Sequence, residues 1–462
     1  MTLVPSRQLR LSGSRLVAFI LIFISFLACS TSKRSQKTPT PETPKTEDKV
    51  RVYDPASGLY VLVPREAVKV DTIKWTEDPS APIVTDNTET PVTTEKKDRY
   101  DISLLVPFSA NEYDFLDEQL DPKLVRFLQY YAGMKIAAKE FKALGYPVTV
   151  RAFDTKKSLY QVNDILKDPA VKNTDVLVGP YEKENVESVA AFGLQHEKVV
   201  VSPWLPAFTI EENNPFFIQV VPGLNTHAEA IIDYIGDKLQ GKKVFLVARN
   251  NPTEISRLQL FKKNPTVKTE DLIIDDNSVE LEQTDLMSLL EEEGTIFILP
   301  YYSRTDESFV NSFLRKLHAD KELKEVIVFG LPQWTAFNNL NPNYMESLSV
   351  HISSSAFVDV DHPFYHDFIM RFFNEYHALP DQQAFIGYDL LHWLGKTLTE
   401  KGKAGLLGTQ HYTEFGLASG FDIKPVFKTH YDPSTEMKTP LYYENSRVRI
   451  LKYINQDFML VR

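Results

Sequence analysis

From Tyr100 onward, apolar-rich runs alternate with longer stretches in which apolar residues recur every three or four positions. The runs are YDISLLVPF, YPVTVRAF, TDVLVGP, KVVVSP, FFIQVVP, KKVFLVAR, TIFILP and EVIVFGLP. Each reads as a strand. The longest intervening stretch, PKLVRFLQYYAGMKIAAKEFKALG, predicts an amphipathic helix that stops at Gly145. Strands alternating with helices predict an α/β fold with largely parallel sheets. FFIQVVPGLNTHAEAIIDYIGDKL then leads into a second series of the same units, so the core restarts and two lobes follow. GYDLLHWLGKTL has the apolar face of a helix returning to the first lobe. The lobes are therefore discontinuous: 99–221 with 356–410, and 222–355 with 411–462.

The N-terminal pattern is different. Arg7, Arg10 and Arg15 precede the apolar run LVAFILIFISFLA, which is too short to span a bilayer and predicts a signal peptide over 1–28. Residues 29–98 follow as a tether. Its first part, STSKRSQKTPTPETPKTED, has almost no large apolar residues. Within the tether, VRVYDPASGLYVLVP alternates around a turn cluster and predicts a small hairpin over 50–64. Cys29 is the sole cysteine and follows Ala28 directly, and FLAC resembles a lipobox, with Phe26 at the usually aliphatic position. The expectation is a lipid on Cys29 and a membrane-anchored protein of the bacterial cell envelope, at the outer membrane and facing the periplasm, since Ser30 follows the cysteine.

Charge narrows the partners. The formal net charge is −11, and removal of the signal takes three arginines and no acids, leaving −14. An acidic exported chain without a basic, aromatic-interleaved block is not built for nucleic acid. Catalytic signatures are also missing: there is no GxSxG, HExxH, P-loop or cysteine pair, so neither an enzyme nor a cofactor is expected. DVDHPFYHDF puts His362 and His366 four apart between Asp361 and Asp367. Asp361 and Pro363 read as the punctuation that starts a helix, so no metal site is expected. HISSSAFVD reads as a polar strand edge.

In order along the chain, LLVPFS, VLVGPYEKENVESVA, KVVVSPWLP, FFIQVVPGLNTHAEAIIDYI, KKVFLVARNN and FIMRFFNEYHALPDQQAFIGYDLL resemble segments of the type 1 periplasmic-binding-protein fold. The resemblance is to leucine-binding-protein-like lipoproteins of amino-acid ABC transport, and Tyr388-Asp389 matches that family's late Tyr-Asp. It implies two lobes closing over a ligand held by strand-end loops of both. Carried over by position, the contacts are Tyr181, Lys183, Ser202 and Trp204 from the first lobe, and Tyr301, Tyr302, Gln333 and Trp334 from the second. Lys183 and the bulky Trp204 stand where amino-acid binders have small and hydroxyl-bearing residues. Gln333 stands near the position of the acid that meets a ligand ammonium, and an unpaired buried ammonium is costly. The expectation is a small polar or anionic ligand of unknown identity, not a free amino acid, held beside the Gly179-Pro180 joint. Two roles stay open. One is a solute-binding lipoprotein serving a permease or a sensor. The other is a ligand-free scaffold, its aromatics filling the lobe interface, that acts on a cell-envelope protein in the manner of peptidoglycan-synthase activators.

Overall fold

The computed structural model describes residues 49–54, 59–64, 96–110, 121–205, 213–275, 278–408, 416–427 and 439–461. The signal peptide, Cys29 and most of the tether lie outside the described residues. The chain divides at Thr85 into two units. In the first, strands β1 (Lys49–Asp54) and β2 (Leu59–Pro64) form an antiparallel hairpin in register Val50↔Val63 and Val52↔Val61.

The second unit holds two seven-stranded sheets. The first contains β3 (Tyr100–Val106), β4 (Val148–Asp154), β5 (Val176–Val178), β6 (Val199–Ser202) and β7 (Phe217–Gln219), with β13 (Ile423–Val426) and β14 (Tyr442–Asn445) from near the C-terminus. Its order is β13-β14-β7-β6-β5-β3-β4, parallel throughout except for β13. The second contains β8 (Lys243–Arg249), β9 (Thr269–Ile274), β10 (Thr295–Ile298), β11 (Val326–Gly330), β12 (Val350–Ser354), β15 (Arg449–Ile454) and β16 (Asp457–Leu460). Its order is β16-β15-β12-β11-β10-β8-β9, with β15 and β16 antiparallel to their neighbours.

Both faces of each sheet are covered, which is why its central strands are predominantly apolar. In the first sheet Leu104, Val176, Val178 and Val201 face helices α1 (Pro122–Leu144) and α11 (Gln382–Lys401). The alternate residues Leu105, Leu177 and Val200 face α2 (Leu159–Ile165), α3 (Pro169–Lys172) and α4 (Lys183–Gln195). In the second sheet Val244, Leu246, Ile296 and Ile298 face α5 (Leu224–Lys238) and α6 (Pro252–Leu258). On its other side Phe245, Phe297, Val328 and Ile352 face α8 (Glu307–Asp320) and α9 (Pro342–Ser347); the short α7 (Ser278–Gln283) lies between α6 and α8 in the chain. Helix α10 (Tyr365–Tyr376) packs Phe368 and Phe372 against the start of α11.

Close backbone approach joins α1 to α11. A Cβ at Gly133 would run into the Ala384 carbonyl, and one at Gly387 into the Tyr130 carbonyl, so two glycines, one on each helix, let the axes meet. Helix α1 begins as its sequence suggests, with the Asp121 carboxylate accepting the Lys123 N–H at 2.9 Å and Pro122 at the first position. Gly145 ends it with φ +73.

The C-terminal stretch departs from the expectation that 411–462 belongs wholly to the second lobe. Strand β14 lies parallel beside β7, pairing Tyr443 with Ile218 and Glu444 with Gln219, and Tyr443 is buried in the first core. Only β15 and β16 join the second sheet. The chain thus passes between the sheets after Gln219, after Ser354 and between Asn445 and Arg449. Helix α10 also starts later than the Asp361-Pro363 punctuation predicts, with Phe364 as its N-cap. Asp361 instead donates its N–H to Asp359 Oδ1 at 3.0 Å, and His362 Nδ1 accepts from Phe364 N at 3.2 Å, so the segment turns before it coils.

Candidate functional site

A cavity of about 1170 Å³ is lined from both sheets' loops and from the segments that cross between them. Arg126, Pro203 and Trp204 line it from the first lobe, and Pro332, Trp334 and Phe337 from the second. Val220, Val221 and Ser354–Asp361 line it from two crossings. These contributors follow the carboxyl ends of β6, β7, β11 and β12, the position at which open α/β sheets hold ligands.

Of the residues expected in the cleft, the structure brings two together there: Trp204 and Trp334. Trp204 sits in an aromatic cluster, 4.9 Å from Tyr130, 5.4 Å from Phe127 and 6.3 Å from Tyr181 between ring centroids. Tyr181 backs this wall without lining the cavity, and the Arg126 guanidinium lies 4.5 Å above its ring. Ser202, at the end of β6, is buried beneath the cavity lining. Trp204 Nε1, Arg126 Nε and Ser202 Oγ have no hydrogen-bond partner among the described residues. Buried donors are normally paired, so the first two are groups that a bound acceptor would satisfy.

The other expected contacts lie elsewhere. Lys183 opens α4 with an exposed side chain that pairs with Glu187 at 3.7 Å, and neither it nor its neighbours line the cavity. The positive charge expected there is spent on the outer surface of the helix. Gln333 and Tyr302 are exposed outside the cavity, and Tyr302 is covered by Arg257 at 4.5 Å. Tyr301 is buried in a brace inside the second lobe. Its hydroxyl accepts the Arg249 N–H and donates to Glu254 Oε2, each at 3.0 Å. Arg249 bridges Glu254 and Asp306 at 2.5 Å each. Burial, then the Glu254 carboxylate beside it, push the Tyr301 phenol well up, so it stays a neutral hydrogen-bonding post. Trp334 is tied to the same post, donating from Nε1 to the Tyr301 carbonyl at 3.0 Å.

The Gly179-Pro180 joint is part of the wall's foundation. Gly179 has φ +91, and a Cβ there would collide with the Leu105 carbonyl and come within 3.2 Å of the Trp204 ring. Only glycine lets the loop tuck under that tryptophan. The joint therefore positions Trp204, whereas α4 beyond it points its first residues away from the cavity.

Tyr388-Asp389, read as a family mark, organises a crossing. The buried Asp389 carboxylate accepts the N–H groups of Leu417, Ala418 and Ser419 at 2.9, 2.7 and 2.8 Å. Burial pushes this carboxyl up to about 6 even though those three donors oppose the shift. The strap it holds receives the Phe357 and Asp359 N–H groups at 2.9 and 3.1 Å, and Arg449 donates to the Phe357 carbonyl at 2.7 Å. Residues 356–359 of the cavity lining are thus fixed from both lobes.

Sequence reasoning missed the charges of the site. Arg126 lies inside a helix pattern that reads as packing alone. Asp359 and Asp361 belong to the DVDHP stretch taken for helix punctuation, yet both line the cavity, as does Asp457. Among the described residues no group of three or more His, Cys, Asp or Glu side chains could hold a metal ion. The lining mixes apolar and polar surface, with the unpaired Trp204 and Arg126 donors and the Asp359, Asp361 and Asp457 carboxylates all reaching the cavity.

A family model described as "Receptor family ligand binding region" matches residues 131–416. A comparison with curated proteins finds no match. Among solved structures, one similar to this chain is a branched-chain amino acid ABC transporter protein from Rhodospirillum rubrum, described as putative by its authors. It shows 14% identity over 79% of this chain and 100% of its own, at TM-score 0.55. An ABC transporter substrate-binding protein from Desulfitobacterium hafniense shows 15% identity over 79% and 100%, at TM-score 0.51. The C-domain of LpoA from Haemophilus influenzae, a regulator of PBP1A, shows 15% identity over 78% and 100%, at TM-score 0.50. At these identities the likeness is one of fold. Among the described residues no helix is long and apolar enough to cross a membrane.

Proposed function

Because the chain belongs to the receptor-family ligand-binding-region family, the type 1 periplasmic binding proteins, we propose that it is an extracytoplasmic binding protein that captures a ligand between its lobes for uptake or sensing. The observation that carries this is the cavity itself, walled by Trp204 from one lobe and Trp334 from the other, with the Trp204 and Arg126 donors unspent on the described residues. The ligand is polar or anionic, with an acceptor group at the Trp204 end, and a cavity of about 1170 Å³ leaves room for one larger than a free α-amino acid. Lys183 stands outside the lining, so the anion it was expected to attract has Arg126 as its counter-charge instead. Binding rather than catalysis is the role of the site.

Native mass spectrometry of protein purified without added ligand tests this reading. A bound mass that is lost in Trp204→Ala supports it. Tryptophan fluorescence titrations with leucine, isoleucine and valine should show no saturation, and tight leucine binding would restore a plain amino-acid transport role. A second reading, a scaffold that regulates a cell-envelope protein, draws support from the exposed Phe364, Met370 and Phe373 around α10 and from the fold shared with the LpoA domain. It takes the lead if neither experiment finds a small ligand. In either role the protein is anchored by lipid on Cys29, and Cys29→Ala should move it from the membrane to the soluble fraction.

A further inference from the structure

Among the described residues strand β16 pairs with β15 on one side only, so there the second sheet ends on an open edge. Val461 N donates to Ile450 O at 3.0 Å, and by the alternation of an antiparallel ladder the main-chain groups of Phe458 and Leu460 face away from β15. The Phe458 N–H is occupied by the Asp457 carboxylate at 2.7 Å, a local contact that an incoming strand can displace. Met459 and Leu460 are 46% and 41% exposed. Natural edge strands are usually short, charged or covered, and an exposed apolar one is a template for pairing.

Beside that edge lies an apolar groove. Phe458 and Leu460 pair with Tyr453 and Leu451 in the ladder, and these four line the cavity together with Phe337 and Leu340. The charges of the same cavity are unequal. Asp457, Asp359 and Asp361 line it, and none forms an ion pair with a described residue within 4.0 Å. Among the described residues its one lining cation, Arg126, belongs to the first lobe and lies over the Phe127 and Tyr181 rings.

We propose that the β16 edge and this groove bind an extended peptide segment of a partner protein, apolar at alternate positions and bearing lysine or arginine. The segment adds as an eighth strand to the second sheet, its main chain pairing with Phe458 and Leu460. Alternate apolar side chains enter the groove, and its cations meet Asp457 and the aspartates of the crossing. Charge complementarity selects this occupant over an acidic segment or a second copy of this acidic chain. The site lies at the β16 end of the same cavity and does not require that a ligand be bound at Trp204, so either reading can fail alone.

The test uses the full mature chain and three fluorescein-labelled peptides: alternating valine and lysine, alternating valine and glutamate, and the lysine peptide with alternate amides methylated. Fluorescence anisotropy at low salt should show saturable binding of the lysine peptide only. Methylation should weaken it by roughly tenfold or more, and Asp457→Lys should do the same. Asp457 is exposed at the start of β16, and an unchanged urea midpoint for the variant checks that it folds. Equal binding of the lysine and glutamate peptides, indifference to methylation, or no binding at all would overturn the proposal. Concentration-dependent dimers in sedimentation that Met459→Lys abolishes would instead give the edge to a second copy and would also overturn it.

Discussion

Replacing Asp389 by alanine should destabilise the protein more than any ordinary core truncation of that size. The substitution removes the acceptor for three buried N–H groups, those of Leu417, Ala418 and Ser419. An unsatisfied buried donor costs about 1–3 kcal/mol, so three amount to roughly 3–9 kcal/mol. Water entering the vacated space lowers that toward the smaller value. The assay is urea unfolding followed by tryptophan fluorescence, with Tyr388→Phe as the control. That change removes one partly buried bond, Tyr388 to Glu140 at 2.8 Å, and should cost only about 1 kcal/mol. The pH dependence is diagnostic. The Asp389 carboxyl is raised to about 6 from 3.8, so between those values the folded protein holds a proton that the unfolded chain releases. The contribution of Asp389 to stability therefore grows as pH falls through 6 toward 3.8 and is lost as pH rises through 6. The penalty of Asp389→Ala should be larger at pH 4.5 than at pH 7.5, by about 2 kcal/mol. A loss under about 1 kcal/mol at pH 7.5, or a penalty that shrinks on acidification, would refute the account of the clamp.

The buried imidazoles act in the opposite sense: burial lowers His227 and His351 to about 4 from 6.5. The unfolded chain binds their protons first, so stability is lost as pH falls through 6.5 toward 4, by roughly 2 kcal/mol for each histidine at pH 5. This outweighs the gain of about 1 kcal/mol from Asp389 over the same range, and His227→Leu should flatten the fall in urea midpoint between pH 7 and 5; an unchanged slope would count against it. Gly179→Ala places a Cβ against the Leu105 carbonyl at a φ of +91, and should cost at least about 2 kcal/mol while shifting the emission of the neighbouring Trp204. Full stability and an unaltered spectrum would show that the loop does not rest on that tryptophan. In Tyr301→Phe the Glu254 and Arg249 groups lose a shared partner, and a loss of about 1–2 kcal/mol in urea unfolding is expected. No loss would mean that the brace is held by Arg249 alone.

The apolar runs and the helical spacing between them were enough to specify an α/β chain of two sheets. A strand buried on both faces must be predominantly apolar, and β3, β5, β6, β8, β10 and β11 are. Gly145 and Asp121 mark the ends of α1 for local reasons that need no tertiary contact. Trp204 and Trp334 line the cavity, and the resemblance placed them there by their positions shortly after strands, where such sheets hold ligands. What position after a strand does not reveal is the direction of a side chain. Tyr301 and Lys183 occupy equivalent positions, yet one turns inward to Glu254 and the other outward to Glu187. That choice depends on partners far away in sequence, or on solvent, and leaves no periodic trace. The same holds for the ends of the chain and for the charges of the cavity. Strand β14 joins the first sheet through pairing with β7, more than two hundred residues earlier, and Asp359, Asp361 and Asp457 share one cavity only because the crossings and the β15–β16 hairpin fold to the same place. Local propensity and burial period are written residue by residue in the sequence; which side chains converge is settled by long-range pairing, and that convergence is what gives this cleft its chemistry.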